Sequence, residues 1–357
     1  MTERTLSSRA LPSNRSLILI LIICIITVGI TFVINSSPAT FLNGSLTSSY
    51  YQDITTHGLD KTVTHGPDEM VTQGLDARYL NDPQFREIAT HGPGEECIKR
   101  LPNAIVVGVQ KGGTTALLSF LSAHPNIVAC MHPAETQYFS AHQGRPLDWY
   151  KHLMPCSYSN QITMEKSPPY FYRGWTARLI RRRLGENIKI IVIVKDPIVR
   201  AESMFAMAVA HRKSIQENGL KFEDFVIKNG TVQKRCKFIQ FSEYPKHMTA
   251  WLDTFKRSNI LIVDGHNLER NPAEELNIVE TFLGVGSYYT EDRFFFNETK
   301  EKYCLRRDDG TPNCLDDRKG RTHPEYSEEV RTLLQDFFRP QNERFFKMIN
   351  RRFDWGY

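Results

Sequence analysis

"VVGVQKGGTTALLSFLSAHP", Val106 to Pro125, runs from a β-branched stretch through a glycine-rich turn into a helical pattern. That order of strand, glycine loop and helix presents backbone amides and a helix N-terminus to an anion such as phosphate. Gly112 and Gly113 permit close backbone approach, while Lys111, Thr114 and Thr115 add a point charge and two hydroxyls. A nucleoside triphosphatase loop, GxxxxGK[ST], places its lysine after the last glycine, whereas Lys111 precedes both. Triphosphate hydrolysis is therefore the minor reading of this loop.

Outward from it, "AIVVGV" (104–109), "IKIIVIV" (188–194) and "ILIVDG" (260–265) are short β-branched runs bounded by polar or turn residues. Buried parallel strands read this way. Helical patterns alternate with or follow them at Thr114–Ala123, Thr176–Leu184, Tyr244–Phe255, Pro272–Leu283 and Ser327–Phe338. The alternation predicts a single α/β domain over residues 97–357, with a central, mainly parallel sheet flanked by helices. Ligands in such folds bind at the carboxyl ends of the strands.

Two further loops suit anions. "VKDPIVRAESMF" (Val194–Phe205) puts Lys195 at a strand tip and Ser203 one helical stretch on, with Asp196-Pro197 as the turn. "KGRTHP" supplies Lys319, Gly320, Arg321 and Thr322, and Arg321 has the geometry to fork a phosphate or stack on a purine. Three anion-suited loops in one α/β domain point to a nucleoside with phosphates at both ends.

The N-terminal part has a different character. Leu17–Ile34 is eighteen residues without a charge, about the length that crosses a ~30 Å hydrocarbon core at ~1.5 Å per residue. It reads as a transmembrane signal anchor, with a cleaved signal peptide the alternative. Arg4, Arg9 and Arg15 precede it, so residues 1–16 form a cytoplasmic tail and the chain beyond is lumenal. Residues 35–96 contain a degenerate octad, "THGLD", "THGPD", "TQGLD", that supplies turns and no apolar face, which makes them a stem. Asn43, Asn229 and Asn297 stand in glycosylation tripeptides. Of the six lumenal cysteines, Cys304 and Cys314 bracket the turn-rich "DDGTPN" and are expected to pair; Cys130 and Cys156 are the second candidate pair. No spacing resembles a zinc site, and the histidines of the octads suit a solvated spacer better than a metal centre.

"GVQKGGTTALLSFLSAHP", "MEKSPPYF", "VKDPIVRAESMF" and "KGRTHP", in this order, resemble the signatures of Golgi sulfotransferases that use 3′-phosphoadenosine-5′-phosphosulfate (PAPS), specifically the heparan sulfate glucosaminyl group. The C-terminal "FFRPQNERFFKMINRRFDWG" is similar to the end of the 3-O-sulfotransferases, and the likeness spans about residues 98–357. It implies a P-loop-like sulfotransferase fold, a Golgi type II membrane protein, PAPS as donor, no metal, and an acidic glycosaminoglycan as acceptor. By the same resemblance Lys111, Gly112, Gly113, Thr114 and Thr115 cradle the 5′-phosphosulfate, Lys195 and Ser203 take the 3′-phosphate, and Lys319, Gly320, Arg321 and Thr322 close over the nucleotide. It further implies Glu135, in "HPAETQYFS", as base, Lys111 as stabiliser of the leaving group and Lys166 near the transferred group or the acidic chain; Glu165, read from its place beside Lys166, has the plain role of orienting that lysine through a charge-assisted bond.

Three positions depart from the family pattern: Lys195 stands where arginine is usual, Gln137 where the 3-O-sulfotransferases have histidine, and Ser140 where they have aspartate. Gln137 with Thr115 is closer to the N-sulfotransferase domain. N-sulfation, sulfation of another glycan, and a catalytically weak glycan-binding relative are therefore the alternatives to 3-O transfer. Residues 97–357 carry a net charge of +9, which suits a polyanionic acceptor, and "RLIRRRLG" (Arg178–Gly185) is either an extension of the groove or a solvated helix face. The same charge would attract nucleic acid, which a lumenal address removes as a partner.

Overall fold

The computed structural model describes residues 95–211, 215, 218–315 and 322–357. The tail, anchor and stem segments lie outside the described residues, and no helix among the described residues is long and apolar enough to cross a membrane. Five strands, β1 (Ala104–Gly108), β2 (Ile127–Ala129), β3 (Ile162–Lys166), β4 (Lys189–Val194) and β5 (Ile260–Asp264), form one sheet in the order β2-β3-β1-β4-β5. All its pairings are parallel. β1 and β4 come from two of the apolar runs. β2 and β3 read "IVA" and "ITMEK", too short or too polar to stand out as buried strands, and parallel pairing recruits them.

The pleat divides the core in two. Ile105, Val107, Ile190, Val192 and Val194 face helices α2 (Gly174–Leu184), α4 (Tyr244–Leu252) and α6 (Glu328–Ile349), through Ile180, Trp251, Phe345 and Ile349. Ala104, Val106, Ile191 and Ile193 face α1 (Thr114–Leu121) and α5 (Pro272–Leu283), through Leu117, Leu121, Leu276, Val279 and Leu283. Each such Val, Leu, Ile or Phe side chain, once withdrawn from water, is worth about 1.5–3 kcal/mol. A further helix, α3 (Pro197–His211), follows β4 directly.

α6 passes through Pro340, where the sequence pattern stops at Phe338, and continues to Ile349. Proline costs roughly 3 kcal/mol inside a helix, but Phe338, Asn342, Phe345, Phe346 and Ile349 keep one buried stripe across it. Tertiary packing outweighs the local propensity. Asn350, at φ 51°, then ends the helix in the left-handed region.

The expected pairing of Cys130 with Cys156 is not formed. Cys156 joins Cys97, with Cα atoms 5.4 Å apart, across a ribbon in which Lys99 lies opposite Cys156. Cys130 follows β2 and is buried, its thiol 3.4 Å from the Leu153 carbonyl, and burial pushes that thiol up to about 12. Cys304 and Cys314 are joined in a three-stranded antiparallel sheet of β6 (Phe294–Asn297), β7 (Lys302–Arg306) and β8 (Pro312–Asn313).

The C-terminus is tied back to the sheet by a buried carboxylate. Glu275 on α5 is fully buried, accepts the Asp264 amide at 2.7 Å, and receives Arg351 through two bonds of 3.1 Å. Arg351→Ala would leave that carboxylate without its cation, and urea unfolding is expected to show a loss of about 3 kcal/mol. An undiminished midpoint would show that the fork contributes nothing. Peptide mapping without reductant is expected to recover Cys97–Cys156 and Cys304–Cys314 as linked pairs and Cys130 as a free thiol.

Candidate active site

The segments after β1, β2, β3 and β4 leave the same carboxyl edge of the sheet, and β1, flanked by β3 and β4, is where the strand order reverses. After β1, Val109 donates its amide to the Ile193 carbonyl at 2.9 Å, and Gly112 donates back to Val109 at 2.9 Å. A Cβ on Gly112 would sit 2.4 Å from the Ile193 carbonyl oxygen, so the backbone there has no room for a side chain. Gly113, at φ 110°, caps α1 in a conformation that favours glycine. No side chain caps α1, which leaves the amides of its first turn at the loop. Thr114 is buried beneath them and Thr115 half-buried beside it. Lys111, at φ 72°, stands at the head of the turn. The cradle suits a phosphate group: backbone donors, a helix N-terminus and glycines where a side chain would intrude.

After β2, Glu135 is half-buried and pairs with Lys166 of β3 at 3.0 Å. Gln137 lies 3.5 Å from the second Glu135 oxygen and has φ 49°. Its amide donates to Ser167 Oγ at 3.0 Å, while Ser140 Oγ lies 3.2 Å from the Gln137 carbonyl. Two of the three departures from the family pattern, Gln137 and Ser140, therefore touch each other.

Glu165 does not orient Lys166. Successive residues of a strand point to opposite faces, and Glu165 is fully buried on the far side, bonded by Ser167 at 2.8 Å and Tyr150 at 3.1 Å. The partner that holds Lys166 is Glu135.

The Lys195 side chain is 12% exposed and is ion-paired with Glu269, on the short helix after β5. Gly265 opens that helix, and a Cβ there would lie 2.3 Å from the Gly112 carbonyl oxygen and 2.8 Å from Lys195 Cγ. The Lys195 end of β4 is thus packed against the phosphate loop through a second glycine. Asp196 accepts the amides of Ile198 and Val199 at the start of α3; burial raises its carboxyl to about 6. Ser203 lies further along α3 at intermediate exposure.

The residue before Ser203, Glu202, binds His323 at 2.8 Å and also Tyr326. The exposed Thr322 therefore sits on a segment fastened beside Ser203, while Lys319, Gly320 and Arg321 lie outside the described residues. Arg178, Arg181 and Arg182 line a shallow cleft on α2 with Asp253 and Thr254, and Arg183 reaches Tyr138 OH at 3.5 Å.

Arg200 was not legible as a structural residue. It is fully buried, with its guanidinium on Ser242 Oγ at 2.7 Å, on the Phe238 carbonyl and on Met204 sulfur at 3.3 Å. An arginine among apolar helix residues reads as solvated, and only the packing of the Lys237–Gln240 helix on α3 reveals otherwise.

The sequence profile of the Sulfotransferase domain family matches residues 101–352. Mouse heparan sulfate glucosamine 3-O-sulfotransferase 3A1 is 40% identical over 73% of this chain and 66% of its own length. Human heparan sulfate glucosamine 3-O-sulfotransferase 6 is 37% identical over 74% of this chain and 76% of its own. The chain spans 64–66% of the length of the 3A1 and 3B1 relatives, just under two thirds. A crystal structure of a sulfotransferase from Alicyclobacillus acidocaldarius shares the fold, with TM-score 0.50 and 20% identity over 71% of this chain and 98% of that one. With its five-stranded parallel sheet, its glycine cradle and these likenesses, the chain belongs to the sulfotransferase domain family, on the branch of the heparan sulfate glucosamine 3-O-sulfotransferases.

Proposed function

We propose that the chain transfers a sulfuryl group from PAPS to glucosamine residues of a heparan sulfate-like chain, at the 3-O position. The observation that carries the reading is the Glu135–Lys166 pair at the same sheet edge as the glycine cradle. PAPS supplies the sulfuryl group. The residues of the chain do the rest. The first-turn amides of α1, with Lys111, Thr114 and Thr115, hold the 5′ end of the donor and meet the charge that grows on its bridging oxygen. Glu135 takes the proton of the acceptor hydroxyl, and Lys166 holds its carboxylate in place by a charge-assisted bond. At the other end Lys195 and Ser203 receive the 3′-phosphate, for which Lys195 must exchange Glu269 for the nucleotide. Lys319, Gly320, Arg321 and Thr322 close over it.

We infer as well a Golgi address, with residues 17–34 as a type II anchor, residues 35–96 as stem and the catalytic domain lumenal. Two disulfides support an oxidising compartment, and Asn229 stands exposed at the turn of a hairpin, where a glycan has room.

Disaccharide analysis of heparan sulfate treated with the lumenal domain and labelled PAPS is expected to place label at 3-O; label on nitrogen, or none, overturns the regiochemical or the enzymatic reading respectively. Glu135→Gln is expected to lower kcat by about 100-fold or more with nucleotide affinity unchanged, and full turnover would remove Glu135 from the base role. Gly112→Ala pushes a Cβ into the Ile193 carbonyl. It is expected to weaken nucleotide binding, read by calorimetry, by roughly tenfold or more, a loss of about 1.4 kcal/mol.

A further inference from the structure

Glu165 is a fully buried carboxylate beneath the segment that carries Glu135. Ser167 and Tyr150 donate to it at 2.8 and 3.1 Å, and the hydroxyls of Thr136 and Tyr170, 3.2 Å from each other, stand beside it. A carboxylate only accepts, so hydroxyls bonded to it direct their protons inward and turn their lone pairs away. The hydroxyls of Ser167, Thr136 and Tyr170 each accept one of three consecutive backbone amides, and Ser167 at the same time donates to Glu165. Gln137 donates to Ser167 Oγ at 3.0 Å, Tyr138 to Thr136 Oγ1 at 3.4 Å and Phe139 to Tyr170 OH at 3.1 Å. Tyr150 is the fourth hydroxyl and takes none of these amides; its ring stacks on Tyr138.

We propose that Glu165 is a positioning residue: as a carboxylate it sets the direction of the hydroxyl bonds under residues 137–139 and so holds Glu135 against Lys166. When Glu165 takes a proton on the oxygen that Ser167 serves, its own O–H is accepted by Ser167 Oγ, whose proton then turns toward the loop. The Gln137 amide loses its acceptor, and the placement of Gln137, already in the left-handed region, depends on that bond. The groups that face Glu165 are Tyr150 from the Leu147–Leu153 helix, Tyr170 and Ser167 from the turn after β3, and Thr136 and Cys130 from the segment after β2. Lys166 and Glu135 lie across the strand. Burial raises the Glu165 carboxyl to about 7, against the opposing pull of its hydroxyl donors. The loop is therefore held tight above that pH and loosens below it. The sign for stability is the reverse: a raised carboxyl favours folding below the unfolded value and loses that contribution as pH rises through about 7.

Amide hydrogen exchange of the folded lumenal domain tests this without any need for activity; only the kinetic measurement rests on the sulfotransferase reading. Glu165→Gln is expected to raise exchange of the 137–139 amides by about tenfold or more and to lower kcat by about tenfold or more, with nucleotide affinity unchanged. In the wild type, exchange corrected for its intrinsic pH dependence is expected to rise as pH falls through about 7. Tyr150→Phe removes one donor and none of the three amide acceptors, so it is expected to move that midpoint to higher pH. Wild-type exchange in a folded Glu165→Gln protein, or an unmoved midpoint in Tyr150→Phe, overturns the proposal. A domain that shows the exchange pattern and transfers no sulfate sustains this inference while the functional reading fails.

Discussion

Three backbones stack without side chains between them at the carboxyl edge of the sheet. The Ile193 carbonyl meets Gly112, and the Gly112 carbonyl meets Gly265, each where a Cβ would lie within 2.4 Å. This contact sets the depth of the glycine cradle, because the loop is pressed on β4 before it turns into α1. It also links the cradle to β5, whose short following helix carries Glu269 to Lys195. The position of every other group at the edge is relative to that stack.

On the side of Glu135 and Lys166 the constraint is the pleat of β3. Adjacent residues Glu165 and Lys166 point to opposite faces, so one strand end supplies a cation to the site and a buried carboxylate to the layer behind it. Lys166 then meets Glu135, and Glu165 meets hydroxyls that hold the amides after Glu135. The same two residues thus govern a single loop from both sides. Burial of a charge is unfavourable unless it is bonded; the Ser167 and Tyr150 hydroxyls offset this for Glu165 in part, and burial still raises its carboxyl to about 7.

Where sequence reasoning and structure differ, the reason is long-range geometry. Cys156 is 26 residues from Cys130 and 59 from Cys97, yet the antiparallel ribbon brings the distant cysteine close and the nearer one is buried. Pro340 marks a helix end by local rule, but a continuous apolar stripe on α6 carries the helix past it. Lys195 reads as a cation at a strand tip, and its partner Glu269 arrives on the short helix after β5, one crossover later. Arg200 has no local signal for burial, since its acceptors come from the segment around Phe238 and Ser242.

By itself the sequence determined the β-branched runs, the glycine loop between β1 and α1, and hence the parallel α/β class with its site at the carboxyl edge. These follow from spacing along the chain: side chains alternating across a strand, apolar residues on one helix face, and glycines where the backbone turns left-handed. Only the tertiary structure decided which cysteines pair, which face of β3 each member of Glu165-Lys166 occupies, and that Glu135 rather than Glu165 holds Lys166. Those are questions of which distant residues become neighbours, and neighbours across a sheet are fixed by strand order and register, which no local pattern encodes.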